Sequence, residues 1–369
     1  MEIHTRSSDW FRHGHDGDKV YDSVILHIVG EADGEVTRTN GEVIPQMIVS
    51  CPERIKMHYY ELCVSDCYPA CYPILRSLPK LTVHSWLSAL QTERLEQKAK
   101  LIGARLEHCN NNWEDVFFIT LARNYGFGLN GDAFEAWAEL LPFRALDKHR
   151  NDLFQIEALF YGMAGLFEDT FLKEEQKDEY CLRLSKEFHY LQRKFEIFRV
   201  MDATLWRFLR LRPDNFPHIR LAQLAYLYQK GDKLFSRLLE AETLAEVRIL
   251  LSTRTSVYWE NHYIFGRTSP QREKLLGEQS KDLIIINTVV PFLYTYGLHK
   301  ADEGMCERAG RFLEELKAEN NHIIRSWSDA GLPVASAADS QALIQLQKEY
   351  CDKRKCLYCR FGYEYLRKK

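Results

Sequence analysis

The chain is poor in the residues that interrupt regular structure, with 19 glycines and 11 prolines among 369 residues. That scarcity excludes collagen-like repeats, flexible low-complexity linkers and loop-dominated β folds. A surplus of either charge is also missing: 49 basic side chains stand against 52 acidic ones, a formal net charge of −3. No whole-chain field therefore draws it to nucleic acid, although a local basic face is compatible with such a balance. Nor is there a long hydrophobic run. The most apolar stretch, Leu283 to Leu298, is broken by Asn287 and Pro291. It falls short of the roughly 20 residues a membrane helix needs and reads as a buried core helix or a strand–helix junction. No membrane partner is expected. No apolar segment follows Met1-Glu2-Ile3-His4, so the opening does not read as a secretory leader. A Gly-x-Gly-x-x-Gly string after a strand, a Gly-x4-Gly-Lys-Ser/Thr loop and a Gly-x-Ser-x-Gly elbow are all missing. Nucleotide cofactors and that class of serine hydrolase lose their support.

What is present is a hydrophobic fraction of 46% and an aromatic fraction of 12%, enough for a large core in two or three domains. Ten cysteines in such a chain have no need of disulfides, and thiols kept reduced in the cytoplasm are the expectation. The first 80 residues read as β-rich. Val24 to Val29 is a strand-length apolar run, Gly30 to Gly34 a turn, Asn40-Gly41 a hairpin signal, and Gln46 to Ser50 a further strand. Alternation begins at Met1, with Glu2, His4 and Arg6 on one face and Ile3 and Thr5 on the other. From Leu81 the period becomes helical. Leu95, Ala99, Ile102 and Leu106 recur at helical spacing, as do Leu153, Ile156, Phe160, Met163 and Phe167, and again Leu184, Phe188, Leu191, Phe195 and Phe198. The fold class predicted is α+β: a small β-rich part (1–80), a large helical body (81–345) and a cysteine-bearing tail (346–369) packed back on that body.

Three constellations could carry chemistry. Glu2, His4, His13, His15, Asp16, Asp18 and His27 crowd the N-terminal part. Glu2 and His4, two apart on a strand, project side by side and suit a divalent cation, Mg²⁺ or Mn²⁺, near Glu2. With His15 they are the candidate catalytic groups. The competing reading is a solvated His-x-His turn and a core histidine at position 27. The second constellation is Cys351-x4-Cys356-x2-Cys359, a set of thiolates for Zn²⁺ or an iron–sulfur cluster whose fourth ligand must come from elsewhere; alternatively these are three ordinary thiols of a terminal helix. The third is the basic run Arg207, Arg210, Arg212 and Arg220, around Pro213 and Pro217, which could clamp phosphate ahead of a helix start. Arg123 and Asn124 could join it. These arginines could instead pair with Glu93, Glu96 or Glu157 and lock helices together.

Several strings occur together: Glu2-Ile3-His4 with Ser8-Asp9-Trp10 and His13-Gly14-His15; Leu121-Ala122-Arg123-Asn124-Tyr125-Gly126-Phe127; Gln155-Ile156-Glu157-Ala158-Leu159; Arg210 to Pro217 with Arg220; Tyr258-Trp259 with His262-Tyr263; and the terminal cysteines. In this combination the chain resembles an uncharacterised bacterial family, the domain of unknown function 2851. Members of that family carry several dozen residues ahead of the segment that begins here at Met1, so the resemblance implies a shortened N-terminus. It implies no activity. The strand bearing Glu2-x-His4 is further similar to the Glu-x-Lys strand of restriction-endonuclease-like nucleases, with His in place of Lys and the leading Asp missing. Two functions follow as expectations: a metal-dependent phosphodiesterase acting on nucleic acid, or a non-catalytic binding or scaffold protein with a structural metal in its tail.

Overall fold

A computed structural model describes residues 1–231 and 233–368. The fold is α+β, with a small N-terminal sheet and a large helical body. Contacts divide it into two compact units. One comprises residues 1–83, 325–332 and 346–369, the other residues 84–324 and 333–345.

In the first unit, β1 (Glu2–Arg6), β2 (His27–Glu31) and β3 (Gln46–Ile48) form a three-stranded sheet in that order, every pair parallel. Glu2 lies opposite His27 and His4 opposite Val29, which places Glu2, His4, His27 and Val29 on one face. That face turns inward: Ile3, on the other side, is 63% exposed. Strand β2 runs through Gly30, where a turn was expected. A side chain at Gly30 would meet the Thr5 carbonyl at 3.0 Å. The Asn40-Gly41 turn does form, with Gly41 at φ 83° and Thr37 bridged antiparallel to Val43. It is an excursion between two parallel strands and does not pair strands of the sheet. Trp10, on the short helix α1 (Asp9–Arg12), packs with Val24, Val36 and Ile44 into a small core, and its indole donates to the Thr37 carbonyl at 3.1 Å.

The same unit contains α2 (Glu53–Val64), α3 (Tyr72–Leu75) and the C-terminal helix Arg360–Arg367. In the last, Phe361, Gly362, Tyr365 and Leu366 are buried on one stripe while Arg360 and Arg367 face out. The helix packs on α2 and α3. Tyr365 and Lys368 both donate to Glu61, at 3.0 and 2.9 Å, and His58 Nδ1 meets the Leu366 carbonyl at 3.0 Å.

Most of α4 (Lys80–His108) belongs to the second unit, whose core joins α5 (Trp113–Tyr125), the helices Leu153–Met163 and Pro217–Lys230, and the segment 278–300. Leu153–Met163 is buried at every position from Ile156 onward, so it is the central helix of this body. The stripe that includes Phe188 and Leu191 ends sooner than its period predicts. The helix stops at Lys194, Glu196 takes a left-handed φ of 53°, and Phe198 is 89% exposed. The apolar stretch from Leu283 to Leu298 is helix throughout, widened to a π turn at Ile285–Val289. Pro291 has no N–H to give the carbonyl four residues back. Asn124 Nδ2 supplies that donor instead, 3.0 Å from the Asn287 oxygen. Among the described residues no helix is long and apolar enough to cross a membrane.

Candidate metal centre

The inward face of the parallel sheet builds the site. His4 stands on β1 and His27 beside it on β2, with His4 Nδ1 2.9 Å from His27 Nε2. After β1 the chain enters α1, whose first turn is held by Asp9 accepting from Arg6 N at 3.1 Å and pairing with Arg12 at 2.7 Å. It then passes Gly14 at φ 74°, a conformation glycine takes without strain. The left-handed step returns His13 and His15 to the sheet on either side of Gly14. His13 Nδ1 comes within 3.1 Å of His4 Nε2, and His15 stacks on Tyr21 with ring centroids 3.7 Å apart. Trp10 closes the base, edge-on to His15 at 5.3 Å.

One donor atom from each of His4, His13 and His15 lies within 4.8 Å of the other two. The His4–His13 separation is close to the roughly 3.3 Å edge of a tetrahedron with metal–nitrogen bonds of about 2.05 Å. Glu2 Oε1 stands 3.9 Å from His4 Nε2. Burial lowers the pKa of both His4 and His27 and the neighbouring imidazoles add to it, while the Glu2 carboxylate opposes it; the net shift is downward and favours the neutral ring that can ligate metal. His4 Nδ1–H pointing at His27 Nε2 would fix the tautomer that leaves Nε2 free for a ligand role. His27 Nδ1 is buried with no hydrogen-bond partner.

Of the expected site residues, Glu2, His4 and His15 converge here. His13 is as close as either partner of the triad, although the sequence pairing of Glu2 with His4 gave it no special place; the His-Gly-His spacing was its signal. Asp16 and Asp18 are exposed, and Asp18 caps the next turn by accepting from Val20 N at 2.9 Å.

The basic run divides. Arg207, Arg210 and Arg212 are exposed. Arg220 is turned inward, donating to Asn215 Oδ1 at 2.5 Å and Gln223 Oε1 at 2.8 Å, with its guanidinium 4.4 Å from the Phe127 ring centre. None of the carboxylates considered as its partners fills that role. Glu157 accepts from Tyr180 instead, and Arg123 pairs with Asp132 and Glu135. Asn124 is used up on the π turn. Of the tail cysteines, Cys359 is buried and Cys351 and Cys356 are half-buried; Cys351 ends the helix that begins at Ala337, Cys356 opens a 3₁₀ turn and Cys359 caps the C-terminal helix, so the three do not lie along one helix.

Fold and site together define an α+β protein whose small parallel sheet carries a three-histidine centre. The chain belongs to the family described as Protein of unknown function (DUF2851), whose model matches residues 1–322. The matched span includes the histidines and the basic run and ends before the tail cysteines. No curated protein and no solved structure matches the chain.

Proposed function

We propose that the protein is a metal-dependent hydrolase acting on phosphodiesters of nucleic acid, with its metal held by His4, His13 and His15. The observation that carries this reading is the convergence of three imidazole donors beside a carboxylate. Such a donor set suits Zn²⁺ or Mn²⁺ better than Mg²⁺, which prefers oxygen ligands. A cation in that position supplies Lewis acidity and a water of lowered pKa. Three neutral ligands leave its full charge to attract an anionic substrate. Within the first unit Glu2 would accept a proton from water activated at the metal and His27 would orient His4; the exposed Arg207, Arg210 and Arg212 of the helical unit are a separate candidate for phosphate contacts. The thiol inventory fits a reducing cytoplasm. The scaffold reading draws on Arg220, whose hydrogen bonds lie wholly within its own loop and helix.

The test is to strip the purified chain with chelator and titrate it with Zn²⁺ and Mn²⁺ by calorimetry. Hydrolysis of single-stranded DNA, RNA and bis(p-nitrophenyl) phosphate is then assayed. One equivalent of metal per chain that disappears in His4→Ala/His13→Ala together with hydrolysis is expected. Metal binding without hydrolysis of any phosphodiester would transfer the site to the scaffold reading, and failure to bind would remove both the centre and the enzyme.

A further inference from the structure

Away from the histidines, the first unit holds a cavity of about 100 Å³ rich in cysteine: Cys67, Cys71, Cys351, Cys356 and Cys359 line it together with Trp327. The sulfurs come from separate stretches. Cys71 precedes α3, Cys351 ends a π turn, Cys356 opens a single 3₁₀ turn and Cys359 caps the C-terminal helix. Gly362 lets that helix lie close, since a side chain there would meet the Cys356 carbonyl at 2.1 Å. Cys71 is 7% exposed and Cys359 6%, whereas Cys67 is exposed. The cysteines also feel one another: burial first, and then Cys359 and Cys356, push the Cys71 thiol up, and Cys351 responds likewise to burial and then to Cys71, Cys359 and Cys356.

A close-packed interior leaves few voids larger than a water molecule, which needs roughly 10–15 Å³. A space of this size lined by thiols can take an occupant with affinity for sulfur. Four cysteines complete the coordination of a thiolate-bound metal, and the fourth member missing from Cys351-x4-Cys356-x2-Cys359 is Cys71. Spacing chooses between occupants. Four sulfurs around one Zn²⁺ at about 2.3 Å lie roughly 3.8 Å apart. Among the described residues, however, only the three histidines bring three such donor atoms within 4.8 Å of one another. Thiolates that bind separate irons of one cluster stand further apart, around a larger core. Arg354, also in the wall, adds a positive charge to the lining and donates to the Cys63 carbonyl.

We propose that Cys71, Cys351, Cys356 and Cys359 ligate a four-iron iron–sulfur cluster that pins the C-terminal tail to the loop before α3. Cys67 is a bystander. Because the ligands are far apart in sequence, cluster binding is coupled to folding of the tail, as at structural metal sites generally.

The full chain, expressed with iron and purified anaerobically, is analysed for iron, acid-labile sulfide and zinc, with visible absorption and electron paramagnetic resonance after dithionite reduction. About four irons and four sulfides per chain are expected. Cys67→Ser retains them, and Cys71→Ser loses most of the iron. Loss of cluster by chelation from wild type should expose residues 346–368 to protease, a readout that does not depend on the variant folding. Iron retained in Cys71→Ser overturns the assignment of the fourth ligand. Zinc in place of iron overturns the cluster, and neither metal overturns the site. His4→Ala/His13→Ala keeps its iron and sulfide, so failure of the hydrolase reading and failure of this one are separable.

Discussion

Replacing Glu157 by Gln should change how the stability of the helical unit depends on pH. Glu157 lies on the central helix with no exposed surface; Tyr180 donates to one carboxyl oxygen, and the other has no hydrogen-bond partner. Burial pushes its pKa up to about 7, against the opposing pull of Tyr180, Ser256 and Trp259. The folded state therefore holds the proton more tightly than the unfolded chain, which releases it near 4.5. Below pH 4.5 both states are protonated and nothing is lost. Between 4.5 and 7 the unfolded chain ionises first and the folded state is progressively destabilised; above 7 the loss is complete. At about 1.4 kcal/mol per pH unit, the interval is worth about 3 kcal/mol. Glutamine cannot ionise. Whatever constant cost its amide carries, the stability of Glu157→Gln relative to wild type should rise by about 3 kcal/mol between pH 4.5 and 8. Hydrogen exchange of the Leu153–Met163 amides, corrected for intrinsic rates, reads this unit alone. A difference that stays constant within about 0.5 kcal/mol across that range would show that the carboxyl ionises without penalty, and would refute the cost assigned to its burial.

Phe160 is wholly buried against Trp137 and Phe118, so Phe160→Ala should cost about 3–5 kcal/mol in denaturant unfolding, and a loss under about 1 kcal/mol would contradict its place in the core. His4 and His27 have lowered pKa values. The stability of their neutral rings is complete above the ordinary 6.5 and lost as pH falls through the folded values. The N-terminal sheet should therefore become progressively more protease-sensitive as pH falls below 6.5; protection that does not change with pH through the acid range would count against it. Replacing Arg207, Arg210 and Arg212 together by Ala should leave the melting temperature unchanged and weaken nucleic-acid binding with a shallower salt dependence. Arg220→Lys should do the reverse, lowering stability by about 1–3 kcal/mol through loss of its forked hydrogen bonds.

Much of the fold is local and so was legible before any coordinates. Apolar spacing in Leu95–Leu106 and Ile156–Met163 marks helices whose one-sided or all-round burial the structure repeats, because a 3.6-residue period has one geometric meaning. The strand near residues 2–6 was equally visible, and the Val24–Val29 run marked a second whose observed span is shifted to His27–Glu31. Alternation does not say which strand pairs with which, or in what direction. The Asn40-Gly41 turn does join antiparallel flanks, with Thr37 opposite Val43, but this hairpin lies outside the three-stranded sheet, whose strands are all parallel. Nor could it say which face turns inward, and here the polar one does, because Trp10 and the His13-Gly14-His15 turn fold over it.

The remaining decisions were tertiary. The inward-facing Arg220, the unshared carboxyl of Glu157 and the donor Asn124 lends to the carbonyl opposite Pro291 each depend on a partner from another element. At the histidine and cysteine clusters the division is plainest. The sequence by itself determined the residue types: imidazoles crowded near the N-terminus, and three thiols in the tail with a ligand-like spacing. Only the folded chain selected His13 over Asp16 and Asp18, and placed Cys71 beside Cys356 and Cys359. Donors within one turn are set by the backbone period. A donor hundreds of residues away is brought in by the packing of the C-terminal helix on α2 and α3, and no local pattern encodes that contact.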